Sequence, residues 1–171
     1  IKPDSQKIMH VIPLFYKVDK QMTVNPVGLK GESLEVQTHI VLAKQRTLVD
    51  VTQAIRSLNH HIKGIVYDGL GLGQILLSDT ERQEGGLLID MGGQFTKLNI
   101  FKHHALHRSC FVPYGSETIT ADIAHCLNTT IPEAERLKLS YGHVDIKEVD
   151  PGVDIDILTI DNGKKQIKQG S

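Results

Sequence analysis

The chain has 171 residues, of which 40% are hydrophobic and 23% charged, and its formal net charge is −1. Length and composition fit one large folded domain or two small ones, while a near-neutral charge offers no field for nucleic acid or an anionic membrane surface. Only Cys110 and Cys126 are present, each in an apolar pattern, so reduced thiols and a cytoplasmic setting are expected in place of a disulfide framework, and no apolar run approaches the ~18 residues of a membrane span.

The first block runs from about Ile8 to Leu70. His10–Asp19 is rich in β-formers and predicts a strand, with Pro13 marking a sheet edge or the beginning of the strand. Asn25-Pro26-Val27-Gly28-Leu29-Lys30-Gly31 is turn chemistry. Leu34, Val36, Thr38, Ile40 and Leu42 share one face of a half-buried strand. Leu48, Val51, Thr52, Ile55 and Leu58 have helical spacing, and Ile62–Tyr67 predicts a further short strand. A unit of that size is small for independent stability, which predicts an appendage.

The second block opens near Gly71. A short helix is predicted over Gly73–Thr80, followed by an exposed charged turn, Thr80–Gly85. The continuous apolar run Gly86–Asp90 predicts a buried strand, and Thr96–Phe101 its return, with Leu98 and Ile100 inward. His107–Pro113 follows as a third strand. Helices are predicted over Ser116–Leu127 and from Pro132 through Leu139, the second with Thr130 and Glu133 as a capping box. Val153–Ile160 alternates like an edge strand, and the tail from Lys164 shows no packing pattern. With the start at Ile1, that tail ending in Ser171 predicts an internal piece of a longer protein.

Asp90-Met91-Gly92-Gly93-Gln94-Phe95-Thr96 joins two apolar strands and must be a tight turn. An acid at a strand end, two glycines and a hydroxyl residue are what a phosphate loop uses: glycines admit phosphate oxygens to the backbone N–H groups, Asp90 would hold a hydrated Mg²⁺, and Thr96 would donate a hydroxyl. The same residues also describe a plain glycine-rich hairpin. Gly69-Leu70-Gly71-Leu72-Gly73 lacks the spacing of a dinucleotide fingerprint and reads as a flexible hinge. His60-His61 and His103-His104 with His107 lack thiolate or carboxylate partners at ligand spacing and read as exposed histidines.

Four stretches in register carry a family resemblance. These are His10-Val11-Ile12-Pro13 with Asn25-Pro26-Val27-Gly28-Leu29; Asp79-Thr80-Glu81-Arg82 with Leu88-Ile89-Asp90-Met91-Gly92-Gly93; Val112-Pro113-Tyr114-Gly115 with Ile119–Ala124; and Ala134-Glu135, Lys138 and Tyr141-Gly142. In that order the chain resembles the FtsA family of actin-like bacterial cell-division proteins over roughly Ile8–Val144. The resemblance implies an α+β and α/β fold: a small strand–helix–strand inserted subdomain at 8–70 acting as an interaction module, the first part of an actin-like (ribonuclease H-like) second lobe at 71–160, and a polar tail at 161–171. It implies ATP and Mg²⁺ in the full-length protein and neither in this piece alone. Asp90, Gly92, Gly93 and Thr96 would lie near phosphates and metal, Gly115 close by, and Glu135 and Lys138 near ribose or adenine. Without the resemblance, Glu135 and Lys138 read as a solvated helix face.

Departures stand at Gln94-Phe95-Thr96, where the family commonly carries Gly-Thr-Thr, and at Ser116, where it carries glycine. The implied protein is a scaffold with at most weak ATPase activity and no catalytic residue in this stretch. It would self-associate into filaments and tether FtsZ at the cytoplasmic face of the inner membrane, at the division site, through a C-terminal helix absent here. It would also recruit later division proteins, for which the edge strand near His10–Asp19 is suited. A pilus-assembly ATPase, a pseudo-ATPase scaffold and a sugar-kinase-type enzyme of the same superfamily are the alternatives.

Overall fold

The computed structural model describes residues 5–161 and 163–170, and packing divides the chain into two units. One comprises Ile1–Asp90 with Lys97–Phe111, the other Met91–Thr96 with Val112–Ser171. This division does not follow the sequence boundary near Leu70, because the strands after Gly86 pack largely with what precedes them. Ile1 and Ser171 lie outside the described residues.

In the first unit, β1 (Gln6–Val18), β2 (Gln21–Thr23) and β3 (Leu34–Lys44) form a sheet in the order β2-β1-β3. β1 is therefore central, not an edge, but β2 covers only Tyr16–Val18 of it. The rest of that side has no strand partner among the described residues. The pairing with β3 shifts register between Ile8 and His10 and between Pro13 and Phe15, so β1 is bulged beside its proline. After β2 the chain is clasped by Asp19, whose carboxylate accepts the N–H of Glu32 and Ser33 and the Ser33 hydroxyl.

Register pairs Ile8 with Leu42, Val11 with Ile40 and Val18 with Leu34 on one face. The sequence predicts that face half-buried, yet Val11, Leu34 and Val36 are 50–62% exposed. α1 (Gln45–Ser57) forms where the spacing predicts it, but none of its residues is buried. Ile62–Tyr67 is not a strand; the chain runs irregularly there to the start of α2 (Asp68–Leu76).

α2 begins five residues before its predicted start, and the glycines explain it. Gly69 and Gly73 lie four residues apart on one helix face. A Cβ on Gly69 would stand 2.5 Å from Asn99 Oδ1, and one on Gly73 2.1 Å from the Phe101 ring. The glycine run is thus a packing seam rather than a hinge. The predicted charged turn is instead α3 (Asp79–Glu84), opened by a capping box in which Ser78 Oγ accepts the Glu81 N–H and Glu81 Oε2 accepts the Ser78 N–H.

β4 (Gly86–Met91), β5 (Thr96–Lys102) and β6 (Ala105–Val112) make the second sheet, in that order. β5 has the opposite parity from the expected one. Asn99 and Phe101 are buried under α2, while Ile100 is exposed. Phe101, Leu106 and Leu88 form the core of this unit, with Ile12, Tyr67, Leu70, Leu72 and Leu77 packed around them. Burying each large side chain is worth about 1.5–3 kcal/mol.

The second unit holds α4 (Ser116–Leu127) and α5 (Ile131–Tyr141), a single 3₁₀ turn at Ile146–Glu148, and the hairpin β7 (Asp154–Leu158) with β8 (Lys164–Lys168). The tail is therefore structured. Ile167 stands opposite Ile155, and both join Leu137 and Ile157 in the core of this unit. Thr130 Oγ1 accepts the Glu133 N–H at the start of α5, but the reciprocal half of the expected box is missing because Glu133 binds Arg136 at 2.7 and 2.8 Å.

The seam makes opposite predictions for two neighbouring glycines. Gly73→Ala should destabilise the protein by about 1–3 kcal/mol through overpacking against Phe101. Gly71→Ala, where a Cβ meets nothing within 4 Å, should stabilise it by about 0.5–1 kcal/mol through helix propensity. Urea unfolding of the two variants checks the sign of each.

Candidate functional site

The turn predicted to hold phosphate lies in the second unit, between the ends of β4 and β5. Gly92 N–H closes it onto Phe95 O at 3.1 Å. The carbonyls of Gly92 and Gly93 then accept the N–H groups of Ser116 and Glu117 at 3.0 and 2.8 Å, so the turn seats the first residues of α4. Only glycine fits at 115: a Cβ there would stand 2.3 Å from Gly93 O and 2.4 Å from Gly92 O. Thr96 Oγ1 donates to Tyr114 O at 2.8 Å, tying the start of β5 to the same loop. Gln94 is exposed.

Beside this seat is an open groove of about 450 Å³, lined by Gly92, Thr96, Tyr114, Gly115, Ser116 and Thr118 among others. Its lining includes the hydroxyl side chains of Thr96, Ser116 and Thr118. Gly115 N–H lies 3.4 Å from Thr118 Oγ1.

Glu135 and Lys138, one turn apart on α5, join the same helix. Thr120 Oγ1 donates to Glu135 Oε2 at 2.5 Å, and Lys138 Nζ donates to Thr120 Oγ1 at 2.8 Å and to Ser116 O at 3.2 Å. Lys138 Nζ and Glu135 Oε2 are 2.7 Å apart. Lys138, chiefly, and Thr120 hold the Glu135 carboxyl below its ordinary range, against a small opposing effect of burial. The Lys138 side chain is 16% exposed and that of Glu135 42%, so the lysine is covered while the carboxylate stays open to solvent.

The structure thus brings six predicted residues, Gly92, Gly93, Thr96, Gly115, Glu135 and Lys138, into one unit. Asp90 belongs to the other unit, where its carboxylate accepts from Lys97 Nζ at 3.0 Å. Lys97 also donates to Asp68, and that bond, ahead of the one to Asp90, raises the Lys97 pKa although desolvation opposes it. This donor set does not fit a divalent ion at Asp90, because an ammonium already bridges the two carboxylates. No group of three or more His, Cys, Asp or Glu side chains gathers in metal-binding geometry among the described residues. Two histidines outside the expected exposed sets hold hydrogen bonds, His10 Nε2 accepting the Tyr67 N–H at 2.9 Å and His39 sharing one with Ser109, while His107, expected to be exposed, is half-buried.

Sequence reasoning missed Lys97, Asp68 and Thr120. Lys97 carried a signal, a lone cation entering an apolar strand directly across the turn from Asp90. Thr120 carried one too, since it falls four residues after Ser116 within the apolar stripe of α4.

Comparison with known proteins bears on both units. The family model for cell division protein FtsA matches residues 87–170, and that for the SHS2 domain inserted in FtsA matches residues 1–42. Cell division protein FtsA of Helicobacter pylori is 30% identical over 158 residues, covering 91% of this chain and 32% of that protein. That of Escherichia coli K12 is 27% identical over 140 residues, covering 81% and 33%. The chain therefore spans about a third of the length of these curated relatives. Among solved structures, a PilM-PilN type IV pilus biogenesis complex superposes with TM-score 0.60 at 20% identity, over 82% of this chain and 39% of that one. MreB5 of Spiroplasma citri bound to ADP gives 0.53 at 14%, over 96% and 64%. These likenesses establish an actin-like fold.

The Thr120 contacts generate a prediction. Thr120→Val keeps the shape but strips a buried hydroxyl from Glu135 and Lys138, and should cost about 1–3 kcal/mol in urea unfolding. A carboxyl whose folded pKa is depressed adds stability above its ordinary range and loses it as pH falls through the lowered value. The Glu135 pKa, followed by side-chain carboxyl chemical shift, should accordingly move up in Thr120→Val and further up in Lys138→Met, the larger cause being lost.

Proposed function

The chain belongs to the FtsA cell-division family, and from that we propose that the protein carrying it is a nucleotide-binding, self-associating scaffold of the division apparatus. The observation that carries this reading is the order of the two family matches, the inserted SHS2 domain first and the lobe with the glycine turn second. The glycine turn and Gly115 line a groove open enough for part of a nucleotide, and Lys138 of the α5 pair donates to the carbonyl of Ser116, another lining residue. A structural relative bound to ADP supports the same use of the fold. Gly92, Gly93, Thr96 and Gly115 would line the phosphate side, and Glu135 and Lys138 the ribose or adenine side.

The pilus-assembly alternative draws on a likeness of fold alone, at 20% identity, whereas the sequence matches are to FtsA. Anchoring FtsZ at the cytoplasmic face of the inner membrane and recruiting later division proteins complete the proposed role. In it, the stretch 8–70 is the interaction module and 71–160 the opening of the nucleotide lobe.

What supports the module is its surface. Ile8, Val11, Leu34, Val36, Ile40 and Leu42 form an exposed apolar sheet face, and contiguous apolar surface of this kind marks a contact site. In the full-length protein, Val36→Asp combined with Ile40→Asp should abolish sedimentation of filaments while leaving affinity for a fluorescent ATP analogue within about twofold. Unchanged sedimentation would remove this face from self-association. A large fall in melting temperature would show that the face is covered within the molecule.

A further inference from the structure

Lys97 stands near the start of β5 with two carboxylates on its ammonium, Asp90 at 3.0 Å and Asp68. Its side chain is 19% exposed, against 35% for Asp90 and 50% for Asp68, so the cation is the best-covered member of the three. Asp68 is the first residue of α2, and its other oxygen accepts the Gly69 N–H at 2.8 Å. One oxygen thus serves the helix start and the other serves the lysine. The Asp90 side is equally fixed, since Asp90 lies in β4 and Lys97 in the adjacent strand β5.

Two carboxylates converging on one point are the anionic arrangement that a hydrated divalent ion takes. Here a side chain of the same sheet fills that point. An ammonium on a tether needs no capture from solution, so an ion of the same charge type must displace it and strand it near its own acids. Without the lysine, two carboxylates sharing one space would repel and would either hold a proton or recruit a cation.

We propose that Lys97 is the resident cation of the Asp68–Asp90 pair, and that Asp90 consequently recruits no divalent metal. Any metal accompanying a nucleotide is then held by the nucleotide and by other groups. The inference extends the nucleotide reading, and its test does not depend on it.

The full-length protein without nucleotide is titrated with Mn²⁺, and free ion is followed by its electron paramagnetic resonance signal. Wild-type protein should leave Mn²⁺ free up to about 1 mM, the weak end of carboxylate sites. Lys97→Met should take up one equivalent at least about tenfold more tightly, and adding Asp68→Asn should abolish that uptake. Lys97→Arg, which keeps the charge, should behave as wild type, and Lys97→Gln should bind as Lys97→Met does. Uptake of one equivalent by wild-type protein that Asp90→Asn removes would overturn the proposal. So would folded Lys97→Met and Lys97→Gln proteins that gain no Mn²⁺. Should both variants fail to fold, the wild-type and Asp90→Asn titrations decide alone. If the protein also binds no nucleotide, the nucleotide reading fails while the Mn²⁺ result still stands for Lys97.

Discussion

The carbonyl oxygens of Gly92 and Gly93 receive the N–H groups of Ser116 and Glu117, and the arrangement of the second unit hangs on that seat. A helix leaves its first N–H groups without intrahelical partners. A glycine turn supplies two of those partners for α4, and only a glycine at 115 lets the turn come close enough. Once α4 is seated, Thr120 is fixed, and Thr120 fixes Glu135 and Lys138 of α5. A chain of short polar contacts therefore runs from the turn to the second helix. The seat also has a functional consequence. The N–H groups of Ser116 and Glu117, which at an open helix start could face an anion, are spent on the turn.

The helices and strands with strong periodicity were legible in the sequence. α4 has its predicted bounds, and β3, β4 and α5 lie where apolar spacing put them. The failures have particular causes. The parity of β5 was misread because Leu98 and Ile100 look more apolar than Asn99 and Phe101. Burial followed the glycine seam of α2, which offers Asn99 a place and a partner in Tyr67. The helix α3 was missed although Ser78-x-x-Glu81 is a written capping signal, because its charged composition suggested a turn. β8 was missed because three lysines hide the single inward Ile167. Of the candidate site, the glycines and the α5 pair could be named from resemblance. The bonds of Thr120 to that pair could not, since they depend on which faces of α4 and α5 meet.

Apolar surface tells a second story. β4 reads as a strand covered on both faces, yet Leu87 and Ile89 are 54% and 51% exposed while Leu88 is buried. The first sheet repeats the pattern, with one face packed through Val41 and Ile12 and the other open. Sheets with near-continuous apolar strands are covered on both sides in α/β proteins. Under the proposed role, the inserted sheet, with Val11, Leu34 and Val36 open, is where a neighbouring molecule would be received. Its β1 also leaves backbone on one side without a strand partner among the described residues, which is an opening for main-chain pairing.

The charges of the predicted site are matched by neighbouring side chains. A catalytic acid or base is recognised by a pKa pushed toward working pH by burial or a like charge. Here the shifts run the other way. Lys138 and Thr120 keep Glu135 ionised, and Asp68 and Asp90 keep Lys97 protonated. Each of these charged groups is matched within its own unit, and each match ties neighbouring elements together: β4, β5 and α2 around Lys97, and α4 and α5 around Thr120. Groups committed in this way hold shape.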